Sequence, residues 1–337
     1  MKKILVTGGL GFIGSHTVVE LQNEGYEVVI IDNLSNTTIA VLDNIISITG
    51  ITPTFANIDL RNQKAVGHFF DNHTIDGVIH FAAFKAVGES VGSPLSYYQN
   101  NLNTLIYLLQ ELTVRKIDNF IFSSSCTVYG QADSLPITEK EPVKPAESPY
   151  GYSKQAGEII LRDSCKASEL NAISLRYFNP IGAHPSIKIG ELPLGVPQNL
   201  IPYITQTAAG LRGELSVFGD DYPTKDGTAV RDYIHVVDLA KAHISALGRL
   251  IHKENKSNYE FFNVGSGTGS SVLEVIKAFE KASGKPLRYK IAGRREGDVT
   301  AAYADTTLAN KELKWKTTLS LDDALASAWQ WQLAQEK

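Results

Sequence analysis

Two side chains four residues apart, Tyr150 and Lys154, carry the clearest chemical signal in this chain. They lie in Ser148-Pro149-Tyr150-Gly151-Tyr152-Ser153-Lys154, where Ser148 suits a helix cap and Pro149 the first helical position. A four-residue spacing puts both on one helix face. A tyrosine titrates near ~10, so acting as a base at neutral pH needs a lowering of about three units, or ~4 kcal/mol. A neighbouring ammonium favours the phenolate, and a positively charged ring bound beside it adds to the effect in a partly dry pocket. Tyrosine–lysine pairs are common on surfaces. This one gains meaning from Ser123-Ser124-Ser125, which end a predicted strand where open parallel sheets bind ligands.

The ring has a source near the N-terminus. Gly8-Gly9-Leu10-Gly11-Phe12-Ile13-Gly14 follows a short apolar run and opens a helical pattern. Glycines let the backbone turn tightly against a pyrophosphate, and the helix N-terminus offers unpaired N–H groups with a partial positive charge. Asp32 ends the second predicted strand 18 residues after Gly14. Alone it reads as a turn residue. With the glycines it reads as an acceptor for the adenosine ribose hydroxyls that would repel a 2′-phosphate, which favours NAD over NADP. Lys154 would then also hold the nicotinamide ribose.

The elements needed to position these groups are legible in the first half. Apolar, β-branched runs at Lys3–Thr7, Glu27–Asp32, Gly77–Phe81, Asn119–Ser123 and Ala172–Arg176 alternate with helical stretches such as Phe12–Glu24 and Leu95–Val114. Strands apolar throughout and separated by helices imply an α/β, Rossmann-type, doubly wound parallel sheet covered on both faces. After Phe178 the texture changes: Pro180, Gly182, Pro185, Gly190, Pro193, Gly195 and Pro197 crowd together. A smaller, mixed C-terminal substrate domain is expected from there, giving residues 1–178 and 179–337, with returns to the first domain near 230–264. A final helix at Leu321–Leu333 repeats Leu321, Leu325, Trp329 and Leu333, a packing stripe.

Composition narrows the function classes. The 337 residues are 43% hydrophobic and 20% charged, enough to bury a core in about two domains. A net charge of −4 without basic clusters predicts no nucleic-acid partner, and no apolar run approaches the ~20 residues of a membrane span. Cys126 and Cys165 have no redox or metal spacing and the eight histidines form no His-x-x-x-His pair, so no metal is expected. Met1-Lys2-Lys3 runs straight into a strand, not a secretory leader, and a cytoplasmic location is expected. A mildly acidic chain with an anionic substrate would need a local cationic pocket.

Longer motifs extend the picture: Ser123-Ser124-Ser125-Cys126-Thr127-Val128-Tyr129-Gly130, Leu175-Arg176-Tyr177-Phe178-Asn179-Pro180, Val230-Arg231-Asp232-Tyr233-Ile234-His235 and Arg294-Arg295-Glu296-Gly297-Asp298. With the glycine turn and the Tyr150–Lys154 pair, the chain resembles the UDP-galactose 4-epimerases of the extended short-chain dehydrogenase superfamily along nearly its whole length. The resemblance implies a UDP-hexose substrate, an isomerase and a tightly held NAD that is regenerated each cycle. It implies Tyr150 as base, Lys154 as its electrostatic partner and Ser125 as hydrogen-bond partner of the reacting sugar hydroxyl. It places NAD against Gly8, Gly11, Phe12, Ile13, Gly14, Asp32, Asn33, Asn36, Asp59, Leu60, Phe81, Ala82, Ala83, Lys85, Asn100, Ser125, Tyr150, Lys154 and Phe178. It places the UDP-sugar against Lys85, Ser125, Tyr150, Asn179, Asn199, Leu200, Phe218, Arg231, Arg295, Asp298 and Ala302. Arg231 and Arg295 would supply the cationic pocket, since guanidinium groups bind phosphate bidentately. The resemblance also implies a homodimer built on helices near Leu95–Val114 and Pro149–Ser168.

Two positions depart from the family pattern. Cys126 stands where alanine is commoner; related enzymes use a cysteine nearby for acid–base work, but a small buried hydrophobe is the simpler reading. Ala302, seven residues past Arg295, stands where members restricted to unacetylated sugars carry tyrosine. The expectation is room for an N-acetyl group, unless Tyr303 swings in to fill it. Two competing readings are weaker. A 4,6-dehydratase would need an Asp-Glu pair where Cys126-Thr127 stands, and a non-catalytic NAD-binding regulator would be expected to lose part of the Ser125, Tyr150 and Lys154 set.

Overall fold

The computed structural model describes residues 1–295 and 298–335. In the first half strands and helices alternate: β1 (Lys3–Thr7), α1 (Phe12–Asn23), β2 (Glu27–Asp32), α2 (Ala40–Thr49), β3 (Thr54–Asn57), α3 (Gln63–Asn72) and β4 (Gly77–His80). Then come α4 (Val87–Gly92), α5 (Pro94–Arg115), β5 (Asn119–Ser125), a 3₁₀ turn at Cys126–Tyr129, α6 (Pro149–Ala167) and β6 (Asn171–Tyr177). The second half is more broken: β7 (Asn179–Ile181), α7 (Leu200–Ala208), β8 (Leu215–Phe218), β9 (Val230–His235), α8 (Val236–Ile251) and β10 (Tyr259–Val264). It closes with β11 (Gly269–Ser271), α9 (Val272–Ser283), β12 (Tyr289–Ala292), β13 (Ala301–Ala302), α10 (Thr307–Glu312) and α11 (Leu321–Ala334).

Seven strands form one parallel sheet in the order β10-β6-β5-β4-β1-β2-β3. The order reverses direction between β1 and β4, which opens a crevice at the carboxyl ends of those strands. Strand residues such as Ile4, Val6, Ile30 and Ile121 are fully buried on one face, and Leu5, Val29, Ile31 and Phe120 on the other. Continuous apolar runs are what a sheet covered on both faces demands. α1 and α8 pack over the first face, where Val18, Leu239 and Leu247 join the cluster, and α5 and α6 over the second. Thus β10 and α8, late in sequence, complete the first layer system, whereas β9 belongs to a second sheet.

That second sheet runs β11-β9-β13 with β7 also on β9, and β8 pairs β12 in a separate ribbon. A third core of Ile204, Val217, Phe279, Leu325 and Trp329 ties α7, α9 and α11 to these short strands. Among the described residues no helix is long and apolar enough to cross a membrane.

Candidate active site

The turn after β1 needs bare backbone. Gly8 has φ of +68°, a left-handed conformation that favours glycine, and its carbonyl accepts from the Gly11 N–H at 3.1 Å. A Cβ on Gly14 would sit 2.1 Å from the Gly8 carbonyl oxygen, so α1 could not close on the turn with any larger residue. α1 begins without a side-chain cap, leaving its first N–H groups for an anion. Phe12 and Ile13 continue the same wall of the crevice.

Asp32 lies at the far side, 6% exposed, and its two oxygens accept from the backbone N–H groups of Leu10 (3.1 Å) and Leu34 (2.9 Å). Burial holds its carboxyl above the ordinary value, and those N–H groups oppose the shift. A carboxylate has about four lone-pair positions, so acceptor capacity remains for ribose hydroxyls. Asn33, Asn36, Asp59 and Leu60 line the crevice beside it; Arg61 grips Asp59 at 2.6 Å and lowers its pKa. Phe81, Ala82, Ala83, Lys85 and Asn100 form the opposite wall, and Tyr150 and Lys154 its floor.

α6 delivers the reactive pair. The Ser148 hydroxyl accepts from the Gly151 N–H at 3.1 Å and Pro149 occupies the first turn. Tyr150 is 8% and Lys154 4% exposed. The Lys154 ammonium donates to the Ser123 carbonyl at 2.7 Å and lies 5.8 Å from the Tyr150 ring centre. Burial pushes Lys154 down to about 8 against the pull of Glu158. Tyr150 moves the other way: burial, then Tyr177, push its hydroxyl up, and a hydrogen bond with the Ser125 side chain opposes them. The expected lowering of this phenol is therefore not supplied by the protein's own groups, because desolvation outweighs the help of its neighbours.

The remaining expected residues lie outside the lining of that crevice, in separate groups. Phe178 is buried with Ala302, Ala304, Val128 and Tyr129, and Cys126 packs against them. Burial pushes the Cys126 thiol up to about 12, which keeps it protonated and fits the small-hydrophobe reading. Asn179 starts β7, exposed, while Asn199 caps and Leu200 starts α7. Arg231 and Arg295 converge on one carboxylate: Arg231 Nη2 donates to Asp298 Oδ1 at 3.4 Å and Arg295 Nε to Oδ2 at 3.2 Å. Arg295 also lies over the Phe218 ring at 5.1 Å. Glu296 and Gly297 of that motif lie outside the described residues.

Ala302 pairs with Arg231 across β13 and β9 and is 9% exposed. A Cβ on Gly269 would meet the Tyr303 ring at 2.9 Å, so Tyr303 packs on β11 and not into the cluster beside Ala302. Adjacent strand residues point to opposite faces, which accounts for the difference.

The chain is 51% identical to a UDP-glucose 4-epimerase of Erwinia amylovora over 330 residues, 98% of this chain and 97% of that one. It belongs to the UDP-glucose 4-epimerase family. A family model described as GDP-mannose 4,6 dehydratase also matches residues 5–328, consistent with a shared scaffold. Among solved structures, the epimerase of Stenotrophomonas maltophila with NAD and formylated UDP-arabinopyranose superposes with a TM-score of 0.96 at 46% identity, covering 100% of this chain and 99% of that one. The Bifidobacterium longum epimerase in complex with NAD+ and UDP gives 0.95 at 48%, covering 99% of each chain.

Several residues of this epimerase-family site are absent from the sequence reading. Tyr177 lines the crevice and shares a 2.5 Å hydrogen bond with Ser123. Thr104 and Phe84 line it too. Glu191 takes the Lys85 ammonium at 3.2 Å and the Asn199 amide at 2.7 Å on one oxygen, linking the two walls of the cleft. Tyr177 lies inside the Leu175-Arg176-Tyr177-Phe178-Asn179-Pro180 motif, a usable signal; Glu191 stands in a loop-rich run with none.

Proposed function

We propose that this chain inverts C4 of UDP-hexoses, interconverting UDP-glucose and UDP-galactose and, in the same pocket, their N-acetylated counterparts. The observation that carries this reading is the buried pair Tyr150 and Lys154 in a crevice whose glycine turn and Asp32 fit a dinucleotide, with buried Ser125 at the end of β5 acting on the Tyr150 hydroxyl. NAD held by the glycine turn and Asp32 would supply the hydride acceptor for sugar C4 and a cationic ring whose charge would favour the Tyr150 phenolate. Tyr150 takes the proton of the C4 hydroxyl and gives it back. Lys154 holds a positive charge beside it, and Ser125, which eases the upward shift of Tyr150, orients the reacting hydroxyl.

The diphosphate must stay anchored while the sugar turns over. Arg231 and Arg295 can release Asp298 to bind it, which places the anchor beside Ala302. Asn179, Asn199, Leu200 and Phe218 would contact the uridine, with Asn199 joined to Lys85 through Glu191 and Phe218 under Arg295. Ala302 leaves the space that a C2 acetamido group requires.

The protein acts as a homodimer in a reducing, cytoplasmic setting. Support comes from exposed apolar side chains on α5 and α6, with Leu95 79% and Tyr152 53% exposed, and from two free cysteines. The functional test is conversion of UDP-galactose to UDP-glucose by the purified protein and by Tyr150→Phe. Turnover in the variant should fall by at least about a thousandfold, within the range of general base catalysis, with UDP binding retained. Near-native turnover would overturn the mechanism.

A further inference from the structure

The helix face that carries Tyr150 and Lys154 continues one turn further to Glu158. Its carboxylate is buried, 7% exposed, and engaged on both oxygens. Arg176 donates to it from Nε at 2.9 Å and from Nη2 at 2.5 Å, and the Ser124 hydroxyl donates at 2.6 Å. Arg176 is the register partner of Ser124 across β5 and β6, and its guanidinium lies over Phe261 at 4.0 Å and Tyr129 at 4.8 Å. Taking two ions out of water costs several kcal/mol each, and apolar side chains of similar volume would pack as well. Packing alone therefore does not account for this pair.

Its position does. Ser124 sits between Ser123, whose carbonyl takes the Lys154 ammonium, and Ser125, whose side chain opposes the upward shift of Tyr150. One carboxylate holds the middle of three consecutive serines and also faces Lys154 along the helix. Three buried charges of alternating sign result: Lys154, Glu158, Arg176.

We propose that Glu158, held by Arg176, is a positioning residue of the epimerase reaction: it clamps Ser124 so that Ser123 and Ser125 stay aimed at Lys154 and Tyr150, and it keeps Lys154 an ammonium. The proposal rests on the catalytic reading of Tyr150 and Lys154. Other groups facing Lys154 do not supply a negative charge. His80 on β4 is neutral, pushed down to about 3 by burial, and bonds Thr7 at 2.7 Å. Tyr177 on β6 is pushed up to about 12 by burial, Tyr150 on α6 is also held protonated, and the Phe122 ring on β5 lies 5.0 Å from the ammonium. Among the described residues Glu158 is the carboxylate that acts on Lys154.

The test is the pH profile of kcat on UDP-galactose. Glu158→Gln keeps the shape and an acceptor for Ser124 but removes the charge, so Lys154 loses its proton at lower pH. The alkaline limb should move down by about one unit, with kcat at pH 8 falling about fivefold. Because the single variant leaves Arg176 charged and unpaired in the core, the double variant E158Q/R176Q provides a background with that charge removed, and the limb should move in the same direction. A packing role alone would lower the melting temperature and leave the limb in place. An unshifted limb in a variant with a native circular dichroism spectrum overturns the proposal. Tyr150→Phe separates the two readings: if it abolishes turnover and the Glu158 variants keep the parent's limb, only the Glu158 role fails; if it retains turnover, the catalytic reading fails with it.

Discussion

Ala302 shares a strand register with Arg231, so the residue proposed to face the sugar is placed by the same pairing as the guanidinium proposed to hold the diphosphate. A tyrosine there would take up the space beside Phe178, Val128 and Cys126 that an acetamido group would need. Overfilling a rigid pocket costs ~1–3 kcal/mol, or roughly ten- to two-hundredfold in discrimination. Ala302→Tyr should lower kcat/KM on UDP-N-acetylgalactosamine by that factor and affect UDP-galactose far less; equal loss on both would remove Ala302 as the gate. At the same scale, the tyrosine–lysine spacing was readable from residues, but the direction of the tyrosine shift was not. It depends on how completely the ring is buried, and burial is a property of the folded chain.

α6 works only because it lies close to β5. A Cβ on Gly157 would come within 2.8 Å of the Phe122 ring and 3.4 Å of Leu105, and this close approach lets Lys154 reach the Ser123 carbonyl. Gly157→Ala should destabilise the fold by about 1–3 kcal/mol of overpacking strain and cut turnover through a displaced ammonium. Thermal melting and the galactose assay check it; a variant that melts and turns over as the parent does would show that the spacing has slack. Strands with strong apolar runs, β1 and β2 above all, have the bounds their sequences imply. β3 escaped notice because Thr54-Phe55-Ala56-Asn57 is a short, half-buried edge strand with no periodic signal. The strands of the second sheet are two to six residues long and interrupted by glycine and proline, so their pairing on β9 was not legible either.

Four histidines set the acid limit of the whole molecule. Burial pushes His16 and His80 down to about 3, and His235 and His243 to about 4, so all four stay neutral in the folded protein well below the pH at which they charge when unfolded. Between roughly pH 6.5 and 4 the unfolded chain binds more protons, so stability falls as pH falls through that window. Four groups together give a slope of about 5 kcal/mol per pH unit, partly offset by Asp32, Glu139 and Asp232, whose carboxyls burial holds high. Urea unfolding at stepped pH should show the midpoint dropping steeply from pH 6 to 4.5; a flat midpoint would mean that these rings are already solvated. Assembly belongs to the same scale: the exposed apolar faces of α5 and α6 should bring two copies together. A monomer in sedimentation at micromolar concentration would refute that association.

The sequence by itself determined the local devices: a glycine turn that only bare backbone can form, a capped helix presenting Tyr150 and Lys154 on one face, and apolar runs that must bury in a parallel sheet. These depend on neighbours in the chain, and short-range sterics and periodicity specify them. The tertiary structure decided the partners. Lys85 meets Glu191 across 106 positions, Arg231 meets Asp298 across 67, and Ser124, Glu158 and Arg176 meet where three separate elements cross. It also decided the pKa directions of Tyr150, Lys154 and the buried histidines. Both outcomes depend on which surfaces the fold brings together and removes from water, and sequence spacing alone does not carry that information.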